Sequence, residues 1–408
     1  MYVRRTVDTL LDALLPRTPA IALDGARGVG RTATALQRAN RVLPLERPDQ
    51  RALVGTHPAA LLQPGTTLID EWSRMPEVWD LTHREVNNGA PPGSFILTGS
   101  AAPTVGSVLS LRMRPMALHE RGPFTTSVSL SQLLGQERPC SSTIEGDTSC
   151  SPDDYLDAIE SSGFPGFMGL DNESRREQLA TYIQEVIDRD LPGLGYTARR
   201  TEALRRWLTA YAAATSTTTS YSNLLGAATG DSRQPNRDTV SVYRNHLTRL
   251  RLLDPVPGWS PTHITFARLQ RAPKHHLVDP ALAASLLGAT AASMRTPRHS
   301  HLAGPLFEAL ATLSVRVAAE AARAEVLHLR TRNGDHDVDL VVERPDGRLV
   351  AMKVQLSDTV SDWDVRHLLW LRSNLPEQVS DLVVLTTGGT ARRRSDGVAV
   401  VPLALLGP

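Results

Sequence analysis

At 408 residues the chain is long enough for two to four compact units, each burying its own core. A hydrophobic share of 41%, a charged share of 21% and a net charge of +1 describe a globular protein and exclude a global attraction to nucleic acid, so any basic surface is local. No continuous apolar run reaches the roughly eighteen residues of a membrane-spanning helix, and Asp8 and Asp12 interrupt what a signal peptide would keep apolar, so the expectation is a cytoplasmic protein with no membrane partner.

Residues 1–125 alternate apolar runs with helical patterns, as a parallel sheet covered by helices does; extended to residue 150, they make the first expected domain. "AIALDG" reads as a strand ending in glycine, "RTATALQRANRVL" as a helix, and "TTLIDEW" and "SFILTGS" as buried strands. Around 130–150 the chain turns polar and rich in Ser, Thr and Gly, like a connector. Cys140 and Cys150, the two cysteines of the chain, lie here; they are too few for a disulfide framework or a four-cysteine metal site and read as inert thiols.

Residues 151–205 carry "DDYLDAIES" and "ESRREQLATYIQEVIDRDL", a helical lid that "TEALRRWLTAYAAATS" continues. Over 206–295 the pattern suits a helix-turn-helix with a wing. Val240, Tyr243, Leu247 and Leu250 form one apolar stripe, and Arg237, Arg244 and Arg249 lie elsewhere on the same helix. That polar face is either an ordinary solvated surface or a contact for the phosphates of double-stranded DNA. His275 and His276 face opposite ways on an extended segment and are read as structural, and "HSHLAG" from His299 as a loop. The last unit, 296–408, runs helix, three strands, helix, two strands: a compact α/β domain.

The strongest chemical signal is "GARGVGRT", Gly25 to Thr32. Its G-x-x-x-x-G-[K/R]-T spacing lets a strand-to-helix bend point backbone amides of Gly25, Ala26, Arg27, Gly28, Val29, Gly30, Arg31, Thr32 and Ala33 at the phosphates of a nucleotide. Thr32 would ligate Mg²⁺. Arg31 stands where such loops carry lysine; its planar fork supplies charge without the compact ammonium. Of 44 basic residues only Lys274 and Lys353 are lysines, so the substitution follows a bias of the whole chain. About forty residues on, an apolar run ends in Asp70 and Glu71, one suited to hold magnesium and the other to orient or deprotonate water. A third strand ends at Thr98, whose hydroxyl would sense the terminal phosphate. Three strand ends with complementary chemistry fit a crevice at the carboxyl edge of a parallel sheet.

Together "GARGVGRT", "LIDEWSRMPEVWD", "FILTGSA", "LRMRPMALHERG", "YIQEVIDRDL" and "GPLFEAL" resemble the uncharacterised AAA+-type ATPases of bacteria and archaea that carry a C-terminal domain of unknown function. The resemblance implies ATP and Mg²⁺ as cofactors, a P-loop ATPase core, a winged-helix region and a nuclease-like terminal domain. It also places Arg112, Arg114 and Arg189 in motifs typical of the family, where an arginine either reaches the terminal phosphate or pairs with a nearby acid.

The terminal domain resembles the PD-(D/E)xK nuclease fold, with Asp339 matching the metal-binding acid and Glu308 an accessory acid. Where the pattern expects glutamate and then lysine, the third strand offers Lys353 and Gln355, which would share a face. A cation in place of a carboxylate repels Mg²⁺, so this site is expected to be degenerate, with Lys353 bridged to Asp339 or serving as a displaced catalytic lysine. The expected function is a nucleotide-dependent switch or slow ATPase, acting on DNA, with a protein partner or a second copy of the chain. The alternative is a non-hydrolysing DNA-binding or scaffold protein with both sites decayed.

Overall fold

The structure is a computed structural model that describes residues 2–58, 63–99, 108–122, 124–135, 140–141, 143–197, 201–229, 237–259, 272–331 and 334–408. The chain gathers into two compact units: Met1–Pro115 with Phe164–Gly166 and Leu247–Leu252, and Met116–Gly163 with Phe167–His246 and Leu253–Pro408.

The first unit is built on five strands, β1 (Ala20–Asp24), β2 (Arg41–Pro44), β3 (Thr67–Asp70), β4 (Phe95–Gly99) and β5 (Leu109–Arg112), paired in parallel in the order β2-β3-β4-β1-β5. Every residue of β1 and β4 is buried, as continuous apolar runs in a sheet covered on both faces should be. Ala20, Ala22, Leu43, Ile69, Phe95 and Leu97 make its core with Trp72 and Trp79. Because every pair is parallel, the carboxyl ends of β1, β3 and β4 lie along one edge, and ligands of such sheets bind at that edge where the strand order reverses. The helix expected over "RTATALQRANRVL" stops at Leu36. Beyond it Asn40 and Arg41 both donate to the Thr66 carbonyl, which draws the chain into the sheet as β2, and the strand β5 was not anticipated at all.

The second unit holds a seven-stranded mixed sheet in the order β7-β12-β13-β11-β10-β9-β8, from β7 (Gly146–Asp147), β8 (Glu325–Arg330), β9 (Asp337–Glu343), β10 (Leu349–Val354), β11 (Val379–Thr386), β12 (Thr390–Arg393) and β13 (Ala399–Pro402). β6 (Val128–Ser129) and β14 (Leu406–Gly407) pair separately. The helix Ser300–Ala321 precedes β8, and the helix Asp362–Asn374 lies between β10 and β11. Val365, Leu368 and Leu371 of the latter pack with Val341, Ala351, Leu382 and Val384 of the sheet. The helix Ser300–Ala321 is apolar and long enough to cross a membrane, but 78% of its most apolar window is buried, so it is the core helix of this unit.

Several expectations change. The polar segment near 130–150 is not a plain connector: it contains the helix Leu130–Leu134, capped by Ser129, and β7, which pairs with β12. Cys140 N donates to Ser380 O at 3.0 Å. This segment therefore belongs to the second unit. "HSHLAG" opens the helix Ser300–Ala321 instead of forming a loop. Val240, Tyr243 and Leu247 are buried on the helix Arg237–Arg249, and Leu250, the residue after it, is buried too. Residues 260–271, where a wing would fall, lie outside the described residues.

Candidate functional site

The bend from β1 into the helix Arg31–Leu36 is made by glycines with a conformational reason to be there. Gly28 and Gly30 have φ of 84° and 100°, a region that side chains other than glycine rarely enter. A side chain at Gly25 would run into the backbone carbonyl of Met113. Ala26 and Val29 are fully buried, which anchors the loop, while Gly28 is exposed and Arg27, Gly30 and Thr32 are half-buried. Ala33 is exposed on the helix that follows.

Three strand ends meet this bend. Thr32 Oγ1 donates to Asp70 Oδ1 at 2.7 Å, and Thr98 Oγ1 donates to the same oxygen. The Thr98 hydroxyl also accepts from Glu71 N at 3.3 Å, so one side chain of β4 fixes both acids of the β3 end. Arg31 Nη2 donates to Glu71 Oε1 at 3.2 Å. Arg31 is 5% exposed, and its Nη1 is buried with no hydrogen-bond partner. Leaving a buried charged donor unmade is costly, and such groups call for an anion. Glu71 itself sits at φ 55°, a strained backbone of the kind that clusters at functional sites. Burial raises its carboxyl above the usual glutamate range, against the opposing pull of Arg31. Arg31, Thr32, Asp70, Glu71 and Thr98, chosen from sequence, are thus brought together.

A neighbouring pair escaped the sequence. Asp24, the last residue of β1, is 3% exposed and ion-paired with Arg251, whose Nε donates to Asp24 Oδ1 at 3.1 Å; Arg112 Nη1 approaches Asp24 Oδ2 at 3.7 Å. Arg112 therefore has an acid within ion-pair reach, one of the two roles left open for it. The Arg114 carbonyl accepts from Arg5, and Arg189 lies in the π-helical turn Val186–Asp190.

The second unit gathers its own charged cluster. Lys353 Nζ lies 2.9 Å from Asp339 Oδ2, the bridge expected from sequence. Lys274 Nζ lies 2.9 Å from both Asp339 Oδ1 and Glu308 Oε1, and this contact was not foreseen. The signal was available: Lys274 is the other lysine of an arginine-dominated chain. Burial opposes the charge on Lys274, but Asp339 and Glu308 outweigh it and hold the ammonium above the usual lysine range. Gln355 corrects the expectation: β10 ends at Val354, and the Gln355 amide turns to donate to Thr359 O at 2.6 Å. His276 is buried and held neutral by desolvation, consistent with a structural role. Cys140 and Cys150 are free thiols, with burial pushing Cys150 up to about 11. Among the described residues no group of three or more His, Cys, Asp and Glu is placed to hold a metal ion.

Two family models match, each a domain of unknown function: DUF8612 over residues 152–293 and DUF4143 over residues 303–406. No curated protein matches the chain. Among solved structures, the Walker-type ATPase of Pyrococcus abyssi is similar at 12% identity and a TM-score of 0.41, covering 70% of this chain and 96% of that one.

Proposed function

We propose that the first unit binds ATP with Mg²⁺ and acts as a nucleotide-dependent switch or slow ATPase. The observation that carries this reading is the buried Arg31 guanidinium, whose Nη1 lacks a partner at the head of a loop opened by two positive-φ glycines. Residues 25–33 would hold the phosphates, and Thr32 and Asp70 offer a hydroxyl and a carboxylate to Mg²⁺. When bound, Mg·ATP supplies a scissile phosphoanhydride and the negative charge that Arg31 calls for. Glu71 orients or deprotonates water, and Thr98 keeps Asp70 and Glu71 in place. Because Arg31 and Glu71 hold each other, a phosphate that draws Arg31 away also releases Glu71, which makes turnover slow and conditional.

Titration of Mg·ATP into the full chain tests this: binding in the micromolar range should weaken at least tenfold in Arg31→Ala and Gly30→Val. Hydrolysis, followed with and without double-stranded DNA, should rise in Arg31→Lys if the guanidinium limits the rate. No binding by the unaltered protein overturns the proposal. The second reading, a scaffold that binds without hydrolysing, draws support from the same Arg31–Glu71 bond, which occupies both the loop's cation and the acid. Equal, negligible turnover in the unaltered protein and Arg31→Lys, with firm binding in both, would favour it. Action on DNA rests on the helix Arg237–Arg249, where Arg249 is exposed and Arg244 lies 4.6 Å over the Tyr221 ring. For the second unit, the run of helix, three strands, helix and strand supports the nuclease-like reading, with the cleavage site degenerate.

A further inference from the structure

A nuclease-like fold implies a divalent metal held by Asp339 and Glu308, and the residues present do not fit one. The Lys274 ammonium lies between the two carboxylates, 2.9 Å from an oxygen of each, where hard oxygen donors would otherwise converge on a cation. The remaining Asp339 oxygen is spoken for as well, accepting from Val354 N at 2.9 Å and pairing with Lys353. Lys274 is 3% exposed, and its backbone is fixed by exchanging two hydrogen bonds with Val256, each 2.9 Å, so the side chain is delivered from a set position.

This chain uses arginine for nearly every basic position, yet both of its lysines converge on Asp339. A guanidinium is a broad planar fork, whereas an ammonium is a compact point charge with three donors. Only the ammonium has the size and symmetry of a small ion seated between two carboxylates.

We propose that Lys274 is the resident cation of this site, a tethered amine that takes the place of a divalent metal between Glu308 and Asp339. The second unit is then held together without metal, and removing the amine uncovers a latent site for Mg²⁺ or Mn²⁺.

Titration with MnCl₂, followed by the paramagnetic signal of free Mn²⁺, tests this on the full chain. The unaltered protein should show no Mn²⁺ binding that depends on Asp339, and its melting temperature should be indifferent to EDTA and to Mn²⁺. Lys274→Ser should take up one Mn²⁺ at least tenfold more tightly, melt at a higher temperature with Mn²⁺ than without, and lose both effects when Asp339→Asn is added. Should Lys274→Ser fail to fold in plain buffer, refolding in MnCl₂ should recover it. Asp339-dependent binding by the unaltered protein, or a Lys274→Ser variant that neither binds nor is rescued by Mn²⁺, overturns the proposal.

Discussion

Arg31 and Glu71 are bonded to one another across 3.2 Å, so the cation of the phosphate-loop motif is tied to the acid that ends β3. The pair is unequal: Arg31 is 5% exposed at its side chain and Glu71 26%. Replacing Glu71 with Gln keeps an acceptor for Arg31 but removes the carboxylate. Binding of Mg·ATP should stay within a few-fold, while hydrolysis should fall by about 10²-fold or more, the usual effect of losing a general base. Parallel titration and turnover measurements check this. Equal turnover in Glu71→Gln and the unaltered chain would remove Glu71 from the chemistry.

Thr98 works at two acids at once, donating to Asp70 and accepting from the amide of Glu71. Thr98→Val keeps the shape of a fully buried side chain and deletes both bonds. The unmade amide and the freed carboxylate should cost about 1–3 kcal/mol in urea unfolding. Thr98→Ser, which keeps the hydroxyl, should recover most of that loss. If the valine and serine variants unfold alike, the hydroxyl is not what orders this edge.

Much of this edge could be read from sequence because its chemistry is local: glycines at fixed offsets and acids at the end of apolar runs announce themselves. β5 was missed because "LSLR", though it alternates, is four residues long, too short a run to announce a strand without its pairing to β1. The segment around 130–150 misled for a similar reason. Its polar composition is that of a loop, and its short strand forms through partners more than 240 residues away. Arg251 was invisible because no spacing rule links it to Asp24, while Lys274 stood out as a lysine but nothing in its spacing paired it with Asp339. In the terminal domain the order of elements was legible, but the direction of Gln355 depended on where β10 ends.

Arg251 combines a buried partner with a strained backbone, at φ 62°. Its truncation leaves Asp24, 3% exposed, with Arg112 Nη1 3.7 Å from Oδ2. Because the Arg251 side chain is itself 26% exposed, the cost of Arg251→Ala is expected below the buried-pair range, at about 2 kcal/mol. Arg251→Gly loses the same pair but relaxes the backbone, so it should be more stable than the alanine variant by about 1 kcal/mol. Urea midpoints of the two variants decide it: an alanine variant at least as stable as the glycine variant would show that the strain is not real.

His328 is fully buried in the second unit, with Nε2 bonded to the Ala272 carbonyl at 2.9 Å and Nδ1 without a partner. A carbonyl only accepts, so Nε2 carries a proton, and a second proton would have to sit on Nδ1, buried with no acceptor. Desolvation lowers this imidazole from the usual 6.5 to about 4. The unfolded chain therefore takes up a proton near pH 6.5 that the folded chain refuses until about pH 4, and its stabilisation is complete above that window and lost as pH falls through it. The difference corresponds to about 3 kcal/mol. His275 and His276 are lowered by burial too and push in the same direction. His328→Gln isolates one contribution, because a glutamine amide can still donate to Ala272 O and does not titrate. Unfolding free energies from urea, followed by tryptophan fluorescence at pH 7 and pH 4, should show the unaltered chain losing about 3 kcal/mol more than the variant. An identical pH dependence in both would mean that the ring is already protonated in the folded protein, and that its environment is not the dry one described.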